Sequence, residues 1–83
     1  KDIYIGDIEE EIPHIPGIKG GYHTHVWSLD GERNLLGTHI IVEDDITREG
    51  IIEAKGQVRE LLREKGIDHV TIEVDFKSEE YEY

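Results

Sequence analysis

Five histidines fall in a chain of 83 residues that has no cysteine, so transition-metal chemistry here must rely on imidazole nitrogen and carboxylate oxygen. Four of them, His23, His25, His39 and His69, lie in or beside stretches rich in β-branched and aromatic residues. His23 and His25 are one residue apart. On an extended strand such a pair shares a face about 7 Å apart, a spacing from which two rings can converge on one ion. A His-x-His pair serves equally well as surface or core histidines held by hydrogen bonds. His39 stands among Leu36, Ile40 and Val42, where an imidazole is either a ligand or a half-buried ring with satisfied nitrogens. Glu73 and Asp75 alternate with Val74 on the polar side of a third stretch, and alone they read as a solvated sheet face. Joined across a sheet to His39 and His23, they complete a donor set suited to Zn²⁺ or another divalent transition metal.

Other chemistry finds little support. The only serines are Ser28 and Ser78, and neither sits in a nucleophile-elbow motif. No Gly-x-x-x-x-Gly-Lys loop cradles phosphate. Gly17-Ile18-Lys19-Gly20-Gly21 precedes a strand instead of joining a strand to a helix, so it reads as a turn. A metal hydrolase needs an open coordination position in a water-excluding pocket, and so thin a domain has scarcely room for one. The chain is therefore expected not to be an enzyme.

Twenty Asp and Glu against nine Lys and Arg give a formal charge of −11. That field repels nucleic-acid phosphates and favours small cations. No run approaches the roughly 20 apolar residues of a membrane-spanning helix, and no secretory signal opens the chain. The absence of methionine suggests a segment cut from a longer protein. Eighty-three residues suffice for one domain that buries only about 60 to 65% of its unfolded surface. One element face should therefore stay open to water or to a second sheet.

The elements that must carry these side chains follow from periodicity. Asp7 to Ile12 offers a short amphipathic helix stopped by Pro13 and Pro16. Gly17, Gly20 and Gly21 make a flexible connection. Tyr22 to Leu29 reads as a strand, Asp30-Gly31 as a turn, and Asn34 to Glu43 as a second antiparallel strand, with Gly37 marking a bulge or a close contact. Asp44, Asp45 and Thr47 are helix-capping types, and Ile51, Ala54, Val58, Leu61 and Leu62 follow at three- and four-residue steps through Lys65, with Gly66 closing the helix. Asp68 to Phe76 then alternates, with Val70, Ile72, Val74 and Phe76 on one face and His69, Thr71, Glu73 and Asp75 on the other. The order helix-strand-strand-helix-strand implies an α+β, ferredoxin-like variant with a three-stranded mixed sheet and two helices on one face. Residues 1–77 form the domain, and 78–83 an acidic tail.

Ile15-Pro-Gly-Ile-Lys-Gly20, His25-Val-Trp-Ser-Leu29 and Gly66-Ile-Asp-His-Val-Thr-Ile72 resemble the cytoplasmic carboxy-terminal domain of the cation diffusion facilitator family, over roughly residues 7 to 76. The resemblance implies a homodimerising, metal-binding regulatory domain on the cytoplasmic side of the cell membrane, attached to a transmembrane exporter of zinc or another divalent ion. By the same resemblance the second-strand metal histidine falls on His39 and the third-strand pair on Glu73 and Asp75, Glu73 standing where some members have histidine. The first-strand histidine position falls on Tyr22 when aligned without a gap, and a one-residue slip assigns it to His23. His25 belongs to the His-Val-Trp motif and His69 to the start of the third strand, where packing and accessory ligation both stay open. Two other readings are a dimerisation module that works without metal and a free-standing metal-delivery protein.

Overall fold

The computed structural model describes residues 4–77. Its longest helix, α2 (Arg48–Glu64), begins where Thr47 turns into extended backbone and its side-chain oxygen accepts the Gly50 amide at 2.9 Å. That bond satisfies one of the donors every helix start leaves open. Ala54, Val58 and Leu62 recur at four-residue steps and are buried along one stripe. The helix ends at Gly66, whose φ of 96° a β-carbon would oppose. There the amides of Gly66 and Ile67 reach back to the carbonyls of Arg63 and Leu62, both at 3.0 Å, the paired bonds of a Schellman ending.

Strand β2 (Arg33–Val42) is the middle of a three-stranded sheet, with β1 (Ile18–Leu29) antiparallel on one side and β3 (His69–Phe76) parallel on the other. Parallel pairing of β2 with β3 demands a crossover, and α2 supplies it. Along β2, Leu36, Thr38, Ile40 and Val42 are buried against the helices. Ile8 of α1 (Ile5–Glu11), Ile12 of the following 3-10 turn (Ile12–His14), the α2 stripe and Ile67 complete that core. Full burial of one such aliphatic chain is worth about 1.5–3 kcal/mol. Thr38, buried among them, is satisfied by the Thr24 hydroxyl at 2.8 Å. Among the described residues no helix lies over the opposite face of the sheet, which carries Leu35, Gly37, His39 and Ile41 of β2.

The α+β ferredoxin-like reading holds, with both helices on one face. Several boundaries shift. The α-helix ends at Glu11, ahead of Pro13 as expected, but a 3-10 turn follows it directly from Ile12, with Pro13 in its first positions, where a missing amide costs nothing. Gly20 and Gly21, expected in a flexible connection, belong to β1. A β-carbon on Gly21 would stand 3.2 Å from Ile12 Cδ1, so the glycine is there to let the 3-10 turn press on the strand. Gly37 is no bulge: it pairs regularly with His25 and Thr71. The irregularity falls on β1, between Tyr22 and His25. The acidic tail at 78–83 lies outside the described residues.

Candidate metal site

On an undistorted strand His25 and Trp27 would share their face with His23, and Tyr22 would point into the core. Tyr22 instead pairs with His39, and His25 with Gly37, so β1 carries one residue more than β2 across this interval. His23 takes up the surplus at φ 51°, an unusual conformation for a residue with a β-carbon. The consequence is that Tyr22 changes sides. Its ring lies against His39 with centroids 4.9 Å apart, and the ring of His23 stands 5.8 Å from His39.

The parallel register sets His39 beside Glu73 and Ile41 beside Asp75. His39, Glu73 and Asp75 each bring a ligand atom within 4.8 Å of the other two, the one such group among the described residues. With metal bonds of about 2.0–2.2 Å, two donors on one ion are at most about 4.4 Å apart, so closing the set requires only small side-chain rotations. One imidazole and two carboxylates fit a divalent ion that accepts mixed nitrogen and oxygen donors. The chemistry of the donor set and its spacing therefore agree.

Asp75 is the best-hidden residue of its strand, at 8% exposure. Its Oδ2 accepts the Tyr22 hydroxyl at 2.5 Å and lies 2.9 Å from His39 Nδ1. A carboxylate so buried must be hydrogen-bonded, and these two contacts come from the other two strands, His39 from adjacent β2 and Tyr22 from β1 beyond it. Among the described residues no Lys or Arg pairs with Glu73 or Asp75; the ion pairs join Lys19 to Glu43, Arg33 to Asp30, Arg63 to Glu60 and Lys65 to Glu11. Among the described residues the partners of Asp75 are thus the Tyr22 hydroxyl and the His39 ring.

The residues singled out by sequence divide accordingly. His39, Glu73 and Asp75 are brought together. His23 lies beside the group without contributing a ligand atom to it. His25 sits over Gly37 with its ring 6.3 Å from that of Trp27. His69 pairs with Leu35 at the opposite end of β3 from Asp75. Tyr22 is the member that strand alternation missed; the ungapped alignment, which put it at the histidine position, carried the signal.

A ferredoxin-like sheet, with helices on one face and a histidine-carboxylate cluster on the other, defines a small domain with a metal-type donor set. The family profile described as "Cation efflux protein, cytoplasmic domain" matches residues 1–77. The chain belongs to this family, the cytoplasmic domain of cation diffusion facilitators. It is 31% identical over 85 residues to the cadmium, cobalt and zinc/H(+)-K(+) antiporter of Bacillus subtilis, covering 99% of this chain and 26% of that protein. Against the human proton-coupled zinc antiporter SLC30A1 it is 28% identical over 78 residues, 94% of this chain and 15% of that protein. The chain thus spans about a quarter or less of the length of these relatives. Among solved structures, the metal-bound C-terminal domain of the CzcD transporter from Cupriavidus metallidurans superposes with a TM-score of 0.75 at 26% identity, covering 88% of this chain and 99% of that one. The copper form of the MamM C-terminal domain, at 19% identity, shares the fold with a TM-score of 0.75, covering 94% of this chain and 87% of that one.

Among the described residues no helix is long and apolar enough to cross a membrane.

Proposed function

We propose that this domain senses divalent metal of the zinc type and regulates, through homodimerisation, a cation efflux transporter to which it is attached on the cytoplasmic side of the membrane. The observation that carries the reading is the convergence of His39, Glu73 and Asp75 on the sheet face opposite α1 and α2. A metal-bound domain of the same fold, from the CzcD transporter, supports it. The ligands would be His39, Glu73 and Asp75, with His23 beside them. The domain itself performs no catalysis.

The physical logic is electrostatic. Two copies with formal charge −11 each repel when they approach through faces carrying Glu73 and Asp75. A bound dication removes much of that repulsion, so metal has a higher affinity for the associated state and shifts the equilibrium toward it. Trp27, 46% exposed, shares the face and offers aromatic surface for a partner copy to cover.

Sedimentation velocity with and without Zn²⁺, joined to calorimetric titration, tests the proposal. Zinc-dependent dimerisation with a saturable heat is expected. Dimerisation that ignores zinc, with no heat of binding, would leave a purely structural module in its place.

A further inference from the structure

The hydroxyl of Tyr22 does not point at empty space. It donates to Asp75 Oδ2 at 2.5 Å, on the oxygen that also faces His39 Nδ1 at 2.9 Å. We infer that Tyr22 is a latch on the metal site: in the metal-free chain its hydroxyl holds the Asp75 carboxylate, and an ion entering between His39, Glu73 and Asp75 must take that carboxylate from it. This rests on the metal-binding reading above and specifies how that site is tuned.

Three observations support it. The hydroxyl-carboxylate contact is short and charge-assisted, a class of hydrogen bond roughly twice as strong as neutral ones. Oδ2 belongs to Asp75, 8% exposed as a residue, and already has two polar atoms within hydrogen-bond distance, so an ion that takes this oxygen competes with contacts already made. The bulge at His23 (φ 51°) is what turns Tyr22 onto this face. Without it the phenol would point into the helix-packed core. The site therefore holds three candidate ligands and, in the neutral phenol, a built-in competitor for one of them. The metal-free state is stabilised and the affinity is set lower than the three ligands alone would give.

Tyr22 acts through Asp75, so it is a positioning residue and the test needs a readout beyond affinity. Zn²⁺ is titrated calorimetrically into the 83-residue chain, Tyr22→Phe and His39→Ala, while the ultraviolet difference spectrum of tyrosine is followed in parallel. The latch predicts that Tyr22→Phe binds Zn²⁺ about ten- to a hundredfold more tightly, the range expected when a charge-assisted bond no longer has to be broken. It also predicts a tyrosine difference band in the wild type that saturates with the heat and is missing from Tyr22→Phe. Should Tyr22→Phe not fold, the wild-type band decides alone: its absence at saturating zinc overturns the latch. Binding that His39→Ala abolishes, but that Tyr22→Phe leaves unchanged or weakens, overturns the latch and leaves the metal reading standing. No heat in any of the three chains overturns both.

Discussion

His39→Ala separates what the ring does for the fold from what it does for metal. The side chain is 30% exposed, packs on Tyr22 with ring centroids 4.9 Å apart and places Nδ1 2.9 Å from Asp75. A hydrogen bond to a charged group contributes about 1.5–3 kcal/mol net, and partial exposure together with the remaining Tyr22 bond reduces the loss to about 1–2 kcal/mol in the metal-free chain. Metal adds a second, separable quantity. At free Zn²⁺ about a hundredfold above the dissociation constant, single-site linkage stabilises the wild type by about 2.7 kcal/mol. For a domain of this size that raises the melting midpoint by roughly 10–20 °C. The variant should show the metal-free loss and no zinc-dependent gain, so with zinc the two chains differ by about 3.7–4.7 kcal/mol. Urea unfolding at fixed low protein concentration measures both terms, followed by circular dichroism and by fluorescence of Trp27, the only tryptophan. Zinc bound by the unfolded chains subtracts from the gain, so the quantity to compare is the zinc-dependent difference between wild type and variant. An equal rise in midpoint for wild type and His39→Ala would refute the assignment of that ring to the ion.

Two further outcomes follow from the same structure. Thr47→Ala removes the acceptor for the Gly50 amide and should cost about 1 kcal/mol, read as a lower urea midpoint with zinc binding unchanged, since α2 lies across the sheet from the site. Imidazole coordinates only as its neutral base, so Zn²⁺ uptake should release protons and weaken as the solution is acidified. Calorimetry at successively lower pH measures that weakening, and an affinity indifferent to pH would contradict imidazole ligation.

The parts of the fold governed by local pattern were readable from the residues. The four-residue stripe of α2 and the two-residue alternation of β3 each state which side faces the core, and the order of elements then limits the sheet to a few arrangements. What escaped depends on contacts between segments distant in sequence. Gly20 and Gly21 look like turn punctuation until Ile12 is seen packed against Gly21. Alternation places Asp75 on a solvated face, yet it is buried, because Tyr22 from β1 and His39 from β2 close over it. Nothing in the string Tyr22-His23-Thr24-His25 announces that His23 will take a left-handed conformation. The pairing of β1 with β2 imposes it, by holding Thr24 on the core side, bonded to Thr38, while Tyr22 stays opposite His39.

The site is consequently held by the core beneath it. A slip of one residue between parallel strands moves every side chain to the other face. Here the register is fixed by apolar neighbours, Leu36 beside Val70, Ile40 beside Val74 and Val42 beside Phe76, on the helix side of the sheet. The same register, read on the opposite side, is what sets His39 beside Glu73 and Ile41 beside Asp75. Two of the three donors therefore keep their spacing for as long as the core stays packed, and the third, Asp75, lies two residues further along the same strand. Strand β1 lacks this rigidity, since its pairing is already interrupted around His23. If the proposed ion binds, backbone adjustment is thus easiest at Tyr22 and His23, the two β1 residues whose rings stand against His39.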